Sequence, residues 1–281
     1  MSGSVSTGRR LYTVVALIVA ILFGSALPVT NAHAGDGQTP KPTIVIVHGA
    51  FADASGFSVS IASLHRRGYT VYAPPNPLRN LTTDTAYLRA FLSTIPGPIV
   101  LVGHSYGGAV ITNAATGNPN VKALVHIAAF ALDEGESVDA ASRLGGGSTD
   151  LIANVELRPY PDAPDLPPPL TGKDMDVYIK QAAFRQIFAA DVPAPEAAVM
   201  AATQRPGTLL GIVTPSGVPA WKTIPSWYLV ARNDKAIPPV AERAMAARAR
   251  AHTVEIASSH AAMVSHPQDV TALVLAAANA R

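Results

Sequence analysis

From residue 43 onward the chain alternates short, unbroken apolar runs with longer segments in which apolar residues recur every three or four positions. The run at residues 43–47 is continuously β-branched, the pattern of a strand buried on both faces of a parallel sheet, and the apolar runs at 69–73, 98–102, 121–128, 226–231 and 253–256 read as further strands. Residues 57–67, 83–94, 106–117, 238–250 and 268–280 have helical spacing; the first stops at Gly68, and Thr83-Asp84 reads as the cap of the second. Regular alternation of this kind predicts an α/β fold with right-handed crossovers, a mostly parallel six-stranded sheet and helices on both faces.

Between residues 133 and 224 the rhythm breaks into glycines (145–147), a proline-rich stretch (159–169) and helix-like pieces at 173–189 and 195–204. This stretch reads as a cap inserted into the core, dividing the chain into residues 35–132, 133–224 and 225–281. Residues 1–34 have the three parts of an export signal: Arg9 and Arg10, an apolar run over 11–27, then Ala32-His33-Ala34. Cleavage after Ala34 predicts a secreted protein with no stable membrane association; the alternative is an uncleaved membrane anchor.

Both charges of the formal +2 lie on those two arginines, so the remainder is formally neutral and charge predicts no nucleic-acid partner. Cysteine is absent, which excludes disulfides and thiol catalysis. No His/Asp/Glu cluster has metal-ligand spacing, and neither Gly-x-Gly-x-x-Gly nor Gly-Lys-Ser/Thr occurs, so no metal or cofactor is expected.

The chemistry-bearing stretch is Gly103-His104-Ser105-Tyr106-Gly107, between a strand and a helix. A serine in so sharp a turn needs small neighbours, and Gly-x-Ser-x-Gly spacing supplies them. The Tyr106 N–H then points where a substrate oxygen would become negative, and the Ala50 N–H, in the His48-Gly49-Ala50 loop after the first strand, is the candidate second donor. Asp234 and His260 follow the fifth and sixth strands, giving the order serine, acid, histidine. A serine hydroxyl is a poor nucleophile on its own; a histidine must take its proton, and a carboxylate must orient that ring. Asp133, after the fourth strand, is the rival acid. His104, its ring expected to point away, His126 and His266 read as structural. Phe51, Phe130, Phe184, Phe188 and Met263 are expected around the substrate.

These stretches resemble the α/β-hydrolase superfamily, in particular its branch of plant methylesterases and hydroxynitrile lyases. The likeness rests on His48-Gly49-Ala50, Gly103 to Gly108, Ala128-Ala129-Phe130, Asp234 to Pro238 and His260 to Met263. It implies the α/β-hydrolase fold and makes Asp234, rather than Asp133, the acid. Lyases of that branch carry lysine just after the histidine and threonine in the oxyanion loop, where this chain has Ala261 and Gly49; without an ammonium to stabilise departing cyanide, the resemblance implies ester hydrolysis. Related epoxide hydrolases and dehalogenases place aspartate where Ser105 stands.

The expectation is a serine carboxylesterase acting on a small-molecule ester with small to medium hydrophobic groups. Cofactor-free perhydrolase or lactonase chemistry on the same triad, and a non-catalytic ligand-binding protein on a hydrolase fold, are the alternatives.

Overall fold

The computed structural model describes residues 40–280; the expected signal segment, 1–34, lies outside the described residues. Its elements, in chain order, are β1 (Thr43–Val47), α1 (Ser58–Arg66), β2 (Val71–Tyr72), α2 (Leu81–Leu92), β3 (Ile99–Ser105), α3 (Tyr106–Ala114) and β4 (Val121–Ala129). Then come α4 (Val138–Ser142), β5 (Val155–Arg158), β6 (Asp176–Ile179), α5 (Gln181–Phe188), α6 (Ala194–Thr203), β7 (Gly207–Thr208) and α7 (Leu209–Val213). The chain closes with β8 (Ser226–Ala231), α8 (Pro239–Arg248), β9 (His252–Ile256), α9 (Ala262–Ser265) and α10 (Pro267–Asn279).

Six strands form one sheet in the order β2-β1-β3-β4-β8-β9, every pairing parallel. The two faces separate by parity. Ile44, Ile46, Val100, Val102, Val125 and Ile127 pack with Phe57 and Leu64 at α1 and with Val270 and Val274 of α10. Their odd and even counterparts Val45, Val47, Leu101, Leu124 and Val230 pack against Leu88 of α2, Ile111 of α3 and Met245 of α8. Strands apolar at every position are what a sheet covered on both sides demands, each buried aliphatic side chain contributing about 1.5–3 kcal/mol.

Register brings the functional loops together. Val47 pairs with Gly103, so the loop after β1 starts beside the turn after β3; Ala231 pairs with Ile256, so the loops after β8 and β9 are neighbours. All four lie at the carboxyl edge, where open α/β sheets bind ligands.

Between β4 and β8 the chain builds a separate three-stranded antiparallel sheet, β5-β6-β7, with α5 and α6 beside it. Here the helical expectation for 173–189 is corrected. Residues 176–179 alternate half-buried and buried, a period of two, and pair with β5, so the helix starts only at Gln181. The cap of α2 is likewise Asn80, whose side chain accepts from Thr83 N–H at 3.0 Å; Asp84 lies within the helix and is fully buried. Among the described residues no helix is long and apolar enough to cross a membrane.

Candidate active site

Ser105 ends β3 and opens α3 with φ 53° and ψ −126°, a left-handed conformation that costs on the order of 1–3 kcal/mol for a residue with a side chain. The turn needs glycine two residues on, because the backbone of β1 crosses it closely: a Cβ on Gly107 would lie 2.2 Å from the Val47 carbonyl oxygen. A Cβ on Gly49 would lie 2.5 Å from the Ser105 Cβ, so the loop after β1 needs glycine to reach the serine at all.

The acid and the histidine meet in the interior. Asp234 Oδ2 lies 2.5 Å from His260 Nδ1, and both side chains are almost completely shielded from solvent. The other carboxylate oxygen accepts the backbone N–H groups of Ala236 at 2.7 Å and Ile237 at 2.8 Å. With Oδ1 held by two donors, Oδ2 is left to orient the ring, and His260 Nε2 is the nitrogen free to serve a nucleophile. Asp133 takes no part: it is half-exposed and paired with Lys222 at 2.7 Å.

Tyr106 opens α3, where a helix leaves its first N–H groups without intrahelical acceptors. The Ala50 N–H finds no acceptor among the described residues, while the next one, from Phe51, donates to the Arg205 carbonyl at 2.7 Å. Phe51 itself has φ 63°. His48 braces this loop from within: its Nε2 accepts the Asn76 N–H at 3.2 Å, which leaves Nδ1 to donate to the Gly49 carbonyl at 2.9 Å. Burial lowers the pKa of His48.

Ser105, His260, Ala50 and Tyr106 all face one cavity of about 280 Å³. Phe51 and Phe130 line it too, and Leu151, Val155, Val177 and Ile212 form much of its roof. Asp139 is the one carboxylate among its lining residues, and it is paired with Arg143. Such a surface favours an uncharged, apolar ligand.

Phe184, Phe188 and Met263 depart from expectation. Phe184 and Phe188 stack on each other at 5.1 Å between ring centroids and are fully buried; Phe188 supports His260 from behind, edge-on at 4.8 Å. Their positions on α5 form one stripe, which packs inward against the sheet rather than over the ligand space. Met263 borders a separate cleft of about 140 Å³, beside Met200 and Glu196.

Four residues around the site carry no sequence signal for a role there, His104 and Asp84 among them reading as structural. The ring of His104 does not turn away: its Nε2–H donates to the His260 carbonyl at 3.0 Å and the two rings lie 4.7 Å apart, burial holding its pKa well below the usual value. Asp191, from the α5–α6 connection, accepts the Ser259 N–H at 3.0 Å and its hydroxyl, tethering the cap to the histidine loop. Glu242, in the first turn of α8, is fully buried and accepts the Ala231 N–H at 3.0 Å. Burial and then the Asp234 charge push its carboxyl well above the carboxylate range. Asp84 accepts the Tyr106 hydroxyl at 2.9 Å.

Residues 44–273 match the model of the Alpha/beta hydrolase family. An α/β hydrolase of Aspergillus novofumigatus, nvfD, is 25% identical over 261 residues, covering 85% of this chain and 97% of that one. A carbendazim hydrolyzing esterase of Nocardioides is 33% identical over 110 residues, 34% of this chain and 45% of its own. Among solved structures, polyneuridine aldehyde esterase superposes with a TM-score of 0.70 at 19% identity, over 84% of this chain and 99% of that one. The pyrethroid hydrolase PytH does so with a TM-score of 0.68 at 22% identity, over 85% and 98%. With its parallel sheet, strained serine turn and matched span of residues 44–273, the chain belongs to the α/β hydrolase family.

Proposed function

We propose that this hydrolase is a serine carboxylesterase acting on uncharged hydrophobic esters. The observation that carries the reading is the buried Asp234–His260 pair, which shares one apolar cavity with the strained Ser105. Ser105 Oγ attacks the ester carbonyl carbon while His260 Nε2 takes the hydroxyl proton, and the N–H groups of Ala50 and Tyr106 receive the charge that develops on the carbonyl oxygen. Collapse of the tetrahedral species expels the alcohol, which leaves with the proton from His260. Water, deprotonated by His260, then attacks the acyl-enzyme; the acid departs and Ser105 recovers its proton. Asp234 keeps the imidazole in the correct tautomer and stabilises the imidazolium in both halves.

Esterases among the relatives support the ester substrate. The reading extends to export: the three-part pattern of residues 1–34 supports a mature enzyme outside the cytoplasm, and N-terminal sequencing of the exported protein is expected to begin at Gly35, whereas an uncleaved anchor would keep the full-length N-terminus. Hydrolysis of p-nitrophenyl esters of increasing acyl length, with Ser105→Ala beside the native protein, tests the mechanism. Turnover lost by a factor of about 10⁴ or more in the variant is the expected result. Equal turnover in the two would overturn it.

A further inference from the structure

The loop before α2 and the start of that helix form a polar joint that the catalytic scheme does not use. Asp84 is fully buried among apolar side chains of α2 and α3, yet both its oxygens are engaged. Oδ2 accepts the Tyr106 hydroxyl at 2.9 Å and Oδ1 accepts the Arg79 backbone N–H at 3.2 Å. Arg79 continues the chain outward. Its guanidinium meets Asp176 of β6 at 2.8 Å and lies over the Tyr160 ring, 4.9 Å from its centroid, and its carbonyl accepts the Thr208 hydroxyl of β7. The Tyr160 hydroxyl in turn donates to the fully buried Asp174 at 2.7 Å, whose other oxygen accepts the Leu210 N–H of α7 at 3.0 Å.

One end of this relay is the residue that supplies an oxyanion N–H, and the other is the sheet and helix that roof the cavity. Tyr106 lines that cavity, its ring lies 3.8 Å from where a Cβ on Gly211 would stand, and Thr208 and Gly211 line the cavity from the cap side. A single residue thus carries both the backbone donor and the anchored ring, so the anchor sets how the residue is turned at the head of α3.

On the reading of Ser105 as nucleophile, we infer that Asp84 is a positioning residue: it joins the oxyanion turn to Arg79, and through Arg79 to the cap sheet, so that a seated cap and a correctly aimed Tyr106 N–H are one mechanical unit. Asparagine at 84 keeps the size but presents one donor where two acceptor oxygens are needed. Tyr106→Phe keeps the ring and removes only the hydroxyl. Asp176→Asn weakens the link on the cap side without touching the core.

The test combines kinetics with hydrogen–deuterium exchange on the full chain. Because an oxyanion forms with every ester, Asp84→Asn and Tyr106→Phe are expected to lower kcat about tenfold for p-nitrophenyl acetate and octanoate alike. Asp176→Asn, which cuts the cap end of the same relay, is expected to lower kcat for both esters by about two- to threefold and to raise KM for the octanoate. In the Asp84→Asn/Asp176→Asn double variant the kcat losses combine to less than their product, as expected for residues on one relay. Exchange in Asp84→Asn is expected to rise both at residues 106–114 and at residues 176–179 and 207–213. An unchanged acetate kcat in both core variants, or faster exchange confined to α2, overturns the inference. A native protein inactive on every ester would instead sink the esterase reading, while the exchange measurement would still decide whether the joint exists.

Discussion

On the core side of the cavity the groups of the proposed mechanism are held by backbone. Ser105 sits in a left-handed turn crossed at contact distance by β1, Asp234 is fixed by two main-chain N–H groups, and the proposed oxyanion donors are themselves main chain. On the cap side the walls are aliphatic, and the cap is tied down largely by side chains: Asp176 to Arg79, Thr208 to the Arg79 carbonyl, Asp191 to Ser259. Among the described residues, only the Phe51–Arg205 and Ala261–Phe188 main-chain bonds cross between the two. The difference teaches where rigidity is spent: a developing negative charge must be met within tenths of an ångström, whereas an apolar roof needs only shape. Substitutions in the core are therefore expected to act on kcat, and those in the apolar walls of the cap on KM and acyl-length preference.

The largest effect expected from a substitution outside the triad is that of Gly49→Ala. The new Cβ would fall 2.5 Å from Ser105 Cβ and 2.8 Å from the His104 carbonyl, so the oxyanion loop must move away from the serine. Loss of kcat by roughly 10²–10³, with the fold retained by circular dichroism, is expected. A Gly49→Ala enzyme of near-native kcat would show that the loop does not serve the oxyanion.

Acid separates the regions next, because residues 133–224 contain no histidine, while His48, His104 and His126 are all buried in the core. Burial lowers the pKa of His126 from 6.5 to about 4. A depressed histidine pKa means that the unfolded chain binds the proton first, so stability falls as the pH drops from about 6.5 to about 4 and changes no further from this group below that. The single residue accounts for about 3 kcal/mol over that window. Urea unfolding midpoints measured across it should fall steeply in the native protein and less steeply in His126→Gln.

Asp191→Asn cuts the junction between the regions. Losing the carboxylate that holds both the N–H and the hydroxyl of Ser259 should loosen the histidine loop and lower kcat by about tenfold, more than it changes KM. The smallest effect belongs to the roof. Ile212→Phe, at a half-buried wall position, should shorten the preferred acyl chain and change kcat/KM for the acetate by less than about threefold. An acetate rate as strongly affected as the long-chain rate would blur the division between core and cap.

The same division explains what could be read from the sequence. Buried strands such as β1, β3 and β8 write unbroken apolar runs, and the six-stranded parallel sheet follows to within one residue at all but two of its strand ends, even though the edge strand β9 is largely exposed. The longest departure is β3, which runs on to Ser105 because β4 pairs with it beyond the glycine. The places of Ser105, Asp234 and His260 at or just beyond the ends of β3, β8 and β9 are legible because apolar runs mark those strand ends; the roles given to them belong to the proposed mechanism. The cap was harder: β5, β6 and β7 have at most four residues each, too short for period two to stand out from proline-rich loop, and β6 merges with α5 into what looks like one helix. Asp84 looked like a cap because a carboxylate in a first turn usually is one; only Asn80 accepting from Thr83, four residues before it, turns it inward.

The most direct test of the central claim, that Ser105 is a nucleophile activated by His260, is intact-mass and peptide mass spectrometry after exposure to a fluorophosphonate. The account predicts a single adduct on the peptide carrying Ser105, absent in Ser105→Ala and formed far more slowly in His260→Ala. A folded protein that takes no label, or that carries it on any other residue, would contradict the account.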